Sequence, residues 1–155
     1  MKLMIATAAA AMALAGAATA GSHSGSGDAA AGEKEFNKCK SCHMIVADDG
    51  TEIVKGGRTG PNLYNIIGRK AGTVEDFRYG DSIVAAGEAG LVWNEETFVA
   101  YVQDPKGFLA EYLDDSGARS KMSFRLRSNM EDVYAYLVTV SPDAETVHEG
   151  TGSGS

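Results

Sequence analysis

The chain is poor in the residues that build covalent frameworks and metal cages, with two cysteines, three histidines, three prolines and one tryptophan among 155 residues. Cys39 and Cys42 are too few for a disulfide scaffold, and no second Cys/His pair lies near enough to complete a four-ligand zinc site. Strand-length alternation of apolar and polar residues is missing, and with it the βαβ surround that a redox-active dithiol would want. Beyond residue 20 no apolar run is long enough to span a bilayer. Basic residues are in the minority, 14 Lys and Arg against 21 Asp and Glu, for a net charge of −7. That balance argues against a nucleic-acid partner.

The one long apolar run is at the start. Lys2 supplies a short positive segment, Leu3 to Ala18 is apolar and alanine-rich, and Ala18-Thr19-Ala20 is a small-x-small cleavage site before Gly21. Residues 1–20 are therefore expected to be a secretory signal peptide that takes the mature chain out of the cytoplasm with no membrane span left after cleavage. Loss of Lys2 takes the net charge to −8. Residues 21–28 read as a flexible spacer in which His23 is solvated. Residues 29–142 form one domain, and residues 143–155, acidic and glycine-rich, read as a disordered tail that includes His148.

Within the domain the patterning predicts helices separated by long loops, an all-α fold. Asp28 is a candidate cap for a helix from Ala29 to about Lys40, with Phe36 as its large apolar anchor. Residues 44–61 are dense in turn formers and read as loop. Asn62 to Ile67, closed by Gly68, and Asp81 to Ala86, closed by Gly87, are candidate short helices that need tertiary support. Asn94 caps a helix through Val102, and Pro105 breaks it. A turn or two follows over Lys106 to Tyr112, and Asp114 to Ser123 is loop. Ser128-x-x-Glu131 reads as a capping box for a last helix from Met130 to about Val140, whose Val133, Tyr136, Leu137 and Val140 make one buried stripe. Pro142 ends it.

Against this background stands Cys39-Lys40-Ser41-Cys42-His43. The spacing C-x-x-C-H is the attachment signature of a c-type haem: two thiols add to the porphyrin vinyl groups, and the adjacent imidazole coordinates iron. A loop-rich domain of this size has little apolar surface for a core, and a buried haem would supply it. The second axial ligand follows by elimination. His23 and His148 lie in the tails, Met44 adjoins His43, and Met130 falls in the first turn of a packed helix. Met122, in the irregular stretch Arg119 to Phe124, is the favoured ligand, with Met130 or an open position as alternatives. His/Met ligation raises the reduction potential and suits electron transfer.

Taken together, these residues resemble the class I c-type cytochromes, in particular the larger bacterial cytochrome c2 type, over residues 30–142. The resemblance rests on Gly32 with Phe36, Cys39-x-x-Cys42-His43, Thr59-Gly60-Pro61-Asn62-Leu63, Phe77-x-Tyr79, Trp93 and Lys121-Met122-x-Phe124. It implies helices and long loops wrapped around one covalent haem c, and a soluble, monomeric electron carrier that transforms no substrate. It implies that Pro61 offers its carbonyl to His43, and that Tyr79, Trp93 and Arg69 hold a buried propionate. Tyr101 would lie near the Met122 sulfur, Phe124 would shield the haem edge, and Gly32, Phe36, Val133 and Tyr136 would form a helix crossing. Ile83 stands where many members have an asparagine. Lys38, Lys40, Lys55, Arg58, Lys106 and Lys121 would rim the haem edge and steer it to acidic surfaces on membrane redox complexes and other electron-transfer proteins. The implied donor is a quinol-oxidising complex, and the acceptor an oxidase, photosynthetic reaction centre or peroxidase. A haem protein with an open or labile sixth position, acting in ligand binding or peroxide chemistry, is the rival.

Overall fold

The structure, a computed structural model, describes residues 26–144. The expected signal peptide, most of the spacer with His23, and the tail from residue 145 with His148 lie outside the described residues. Five helices in chain order carry the fold: α1 (Ala29–Glu35), α2 (Asp81–Glu88), α3 (Glu95–Gln103), α4 (Pro105–Tyr112) and α5 (Met130–Thr139). Asp28 caps α1 by accepting from the amides of Ala30 and Ala31. A 3₁₀ turn over Phe36–Lys38 then tightens the chain ahead of the cysteines. Asn94 and Thr97 form a reciprocal capping box at α3. Asp104 caps α4, whose first residue is Pro105, the position where a missing N–H costs nothing.

The main packing event is the crossing of α1 and α5. Gly32 makes it possible: a Cβ there would lie 1.9 Å from the Asp132 carbonyl oxygen and 2.9 Å from Tyr136 Cβ. Phe36 and Tyr136 close the crossing with ring centroids 5.6 Å apart. Phe36, Leu109, Val133 and Leu137 are buried and continuous with Trp93, Tyr101 and Leu126. The expected crossing residues thus meet.

Five local expectations are corrected. Residues 44–61 are not all loop, because β1 (Ile45–Val46) pairs antiparallel with β2 (Glu52–Val54) across a bulge. Strands of two and three residues are too short to show alternation in sequence. Asn62 to Ile67 forms turns instead of a helix. Asn65 takes φ 54°, in the left-handed region, and its amide donates to the Val140 carbonyl at 2.9 Å. A six-residue helix cannot stabilise itself, and its backbone groups found tertiary partners. Gly87 does not close α2 but lies inside it, where a Cβ would sit 2.0 Å from the Ala71 carbonyl oxygen; the chain turns instead at Gly90, φ 102°. No Ser128–Glu131 capping box opens α5. Asn129, itself left-handed at φ 59°, occupies the cap position without a side-chain bond. Finally, order extends past the expected domain ends. Ser26 bonds Glu95 through its amide, Asp143 and Asn65 exchange hydrogen bonds, and Ala144 is buried.

No helix among the described residues is long and apolar enough to cross a membrane.

Candidate functional site

The α1 end, the loop after β2, the segment before α2, α3 and the loop before α5 enclose one deep, mainly apolar cleft. Cys39, Cys42 and His43 form one wall. They are presented by a turn that continues from the 3₁₀ segment, with Cys42 and His43 amides both donating to the Cys39 carbonyl. Burial pushes the Cys39 thiol up to about 11. The exposed Cys42 thiol is instead held below its ordinary value by hydrogen bonds from Thr59 and Ser41.

His43 Nδ1 lies 2.9 Å from the Pro61 carbonyl oxygen. A carbonyl can only accept, so Nδ1 carries the proton and Nε2 keeps its lone pair. Burial lowers the imidazole's proton affinity, and the Pro61 bond opposes this; the ring is kept neutral, as a metal ligand must be. Gly60 is required beside it, since a Cβ there would stand 2.4 Å from His43 Cε1. The Asn62 amide fixes this loop by pairing with both backbone groups of Val46, at 3.0 and 2.7 Å.

Met122, half-buried, also lines the cleft and is the only methionine among the described residues that does; Met44 and Met130 are absent from the wall. Its loop is tied down at several points. The Arg119 amide donates to Ser82 Oγ at 3.0 Å, and the Met122 amide donates to Ser120 Oγ at 3.1 Å. That same Ser120 hydroxyl meets Tyr101 OH at 3.3 Å. Lys121 Nζ reaches the Arg78 carbonyl at 2.9 Å.

Tyr79, Trp93, Tyr101, Phe124 and Ile83 also line the cleft. Burial pushes the Tyr79 phenol up, against the Val74 backbone and the Arg69 charge, which pull it down. Arg69 itself is not on the wall. Its Nε donates to the Asn65 carbonyl, and its own carbonyl accepts from the Trp93 amide at 3.0 Å, so it supports the wall from behind. Phe124 is 41 % exposed at the mouth.

The six expected docking cations are all exposed but do not form one group. Lys38 and Lys121 line the cleft, joined by Arg119, which the sequence reading had not selected. Lys38 also pairs with Glu35. Lys40 and Lys55 border a separate shallow depression with Lys34. Arg58 adjoins Thr59 of the wall, and Lys106 lies on the first turn of α4. Ser82 and Ser120 were also missed. A serine two residues before Met122 in an irregular stretch is the one available signal, because hydroxyls there favour local turns.

This lining suits a covalently held haem: two thiols, a neutral imidazole, a thioether and apolar rings face one cleft. The chain is 68% identical over 114 residues to cytochrome c-551 of Roseobacter denitrificans, spanning 74% of this chain and 81% of the relative. It is 60% identical over 113 residues to cytochrome c2 of Rhodobacter capsulatus, spanning 73% and 82%. The X-ray structure of ferric cytochrome c-550 from Paracoccus versutus superposes with a TM-score of 0.73 at 56% identity, covering 75% of this chain and 99% of that one. No family model matches the chain. With relatives this similar over most of their length, the chain belongs to the cytochrome c2/c-550 family of electron carriers, proteins that hold one covalent haem c and are not enzymes.

Proposed function

We propose that this carrier works in the periplasm as a monomer and binds its haem through thioethers from Cys39 and Cys42, with His43 and Met122 as axial ligands. The observation that carries this reading is that, among the described residues, the cleft wall holds one histidine and one methionine, on segments far apart in sequence. The haem, when bound, supplies the one-electron change between ferrous and ferric iron. The chain's part is to hold both ligands through that change. Pro61 anchors the imidazole through Nδ1, which also raises the basicity of Nε2. Ser82, Ser120 and Arg78 anchor the Met122 loop, and Tyr101 stands beside it. Tyr79 and Trp93 supply donors for a buried propionate, with the Arg69 charge behind them, because desolvation would otherwise penalise the carboxylate heavily. Phe124 covers part of the mouth.

The electron donor in this proposal is a membrane quinol-oxidising complex, and the acceptor an oxidase, reaction centre or peroxidase. Lys38, Lys121 and Arg119 at the mouth favour approach to an acidic partner surface despite the acidic net charge. Lys40, Lys55, Arg58 and Lys106 extend the positive field around them. Electron transfer to such a partner should slow as ionic strength rises toward and beyond 0.15 M, where the screening length is about 8 Å. A rate that stays flat in salt would remove the docking role from these cations.

The test of the ligand set is the visible and near-infrared spectrum of the purified holoprotein, oxidised and then reduced. Sharp low-spin bands with a sulfur-to-iron charge-transfer band are the expected result. High-spin bands would instead favour an open sixth position, and a colourless protein would overturn the attachment reading of Cys39 to His43.

A further inference from the structure

Pro61 receives the hydrogen bond of the His43 ring, yet a proline has no N–H with which to fix its own backbone. Its carbonyl is placed by its neighbours. On one side the Gly60 amide donates to the Cys42 carbonyl at 2.8 Å. On the other side, residues 62–64 are fastened to residues 44–46, the stretch that directly follows His43. The Leu63 amide donates to the Met44 carbonyl at 3.0 Å. The Asn62 carboxamide supplies the rest. Its Oδ1 accepts from the Val46 amide at 3.0 Å and from the Tyr64 amide at 3.1 Å, and its Nδ2 donates to the Val46 carbonyl at 2.7 Å.

A side-chain amide that both donates and accepts at one residue pairs with it as a residue of a third strand would. Val46 is the place where the β1–β2 register shifts, and such an irregularity redirects backbone groups. The strand that Asn62 grips is firmly seated, because its other residue, Ile45, is fully buried. With donor and acceptor both engaged, the carboxamide is held in one orientation, and no hydroxyl or carboxylate offers the same pair of groups. A continuous set of bonds therefore runs from the hairpin through Asn62 to the Pro61 carbonyl and on to His43 Nδ1.

We infer that Asn62 is a positioning residue for the axial imidazole, and that the β1–β2 hairpin is the strut from which it works. Donation from Nδ1–H to a fixed carbonyl raises the basicity of Nε2, and a more basic ligand favours ferric over ferrous iron. Asn62 acts through Pro61 alone, since Pro61 and Leu63 line the cleft and Asn62 does not. Without the grip on Val46 the Pro61 carbonyl drifts from Nδ1–H, the ring gives less charge to the metal, and the ferrous state gains.

The inference rests on the haem reading of the cleft, and the two fail separately. A colourless protein ends that reading, whereas a red, low-spin protein with unresponsive Asn62 variants ends only this one. Asn62→Ala removes every bond of the carboxamide. Asn62→Ser keeps a hydroxyl able to accept from the Tyr64 amide two residues on and loses the grip on Val46, so it serves if the alanine variant yields no holoprotein. Two quantities are read on the purified holoproteins: the ferrous-to-ferric ratio at a fixed ambient potential, and deuterium exchange of His43 Nδ1–H in the ferrous state by NMR. Both variants should show a several-fold higher ratio and several-fold faster exchange, with the low-spin bands retained. Gly32→Ala, which loosens the α1–α5 crossing and leaves this loop alone, should move neither. An unchanged value of either quantity in the Asn62 variants would overturn the inference. A lower ferrous-to-ferric ratio would point to water entering beside the iron and would overturn it as well. So would an equal shift in Gly32→Ala, which would make the effect one of general stability.

Discussion

Met122→Ala is expected to leave the haem attached while converting the iron from low-spin to a high-spin, ligand-accessible state. The change should be local. The anchors of the loop, from the Arg119 amide to Ser82, from Ser120 to Tyr101 and from Lys121 to the Arg78 carbonyl, do not involve the Met122 side chain. Attachment depends on Cys39 and Cys42, whose thiols Met122→Ala does not alter. Removing the thioether takes away the ligand that favours the ferrous state, so the reduction potential should fall by on the order of a few hundred millivolts, within the roughly 0.8 V that axial ligation spans. Neither rival methionine can take over, because Met44 and Met130 do not face the cleft. Loss of the near-infrared sulfur band, together with new binding of azide or imidazole, is the readout. An unchanged spectrum would end the assignment of Met122.

Gly32→Ala sets two effects against each other. Helix propensity alone makes alanine better than glycine within a helix by about 1 kcal/mol. Packing points the other way, since the new methyl would lie 1.9 Å from the Asp132 carbonyl oxygen and 2.4 Å from its carbon. Both are backbone atoms of α5, so no side chain can swing aside. The helices must separate, loosening the Phe36–Tyr136 contact and the buried face around Val133. Overpacking of this kind costs about 1–3 kcal/mol and sometimes more. The net expectation is a loss of about 2 kcal/mol, read as a lower guanidinium midpoint of the holoprotein. A neutral or stabilising result would mean that the crossing is looser than this structure has it.

Legibility in the sequence followed the range of the interactions. The attachment site is local, five adjacent residues whose chemistry dictates their order, and it could be read without any fold. The same holds for the caps at Asp28 and Asn94, where the bonding partners lie two or three residues away. The α1–α5 crossing was legible through the family resemblance, and Gly32 is where it left its mark. The hairpin and the 62–67 turns were not legible, because their partners are distant or the elements too short. Asn62 looks like any turn residue until it meets Val46, and Asn65 until Val140 does. The expected box at Ser128 failed for the same reason: a matching local pattern does not form when the backbone enters the helix through a left-handed Asn129.

The chain order of residues was enough to assign the cofactor chemistry and the predominance of helix, since both rest on residue type and short spacing, and the family resemblance carried by the same motifs implied an electron carrier that transforms no substrate. The division of the cations between the mouth and a second depression, the place of Met122 on the cleft lining beside the Ser120–Tyr101 bond, and the position of Arg69 behind the wall needed the tertiary structure. All three depend on which side chains converge across the folded chain, and convergence is set by the packing of α1, α3, α4 and α5, not by spacing along the chain.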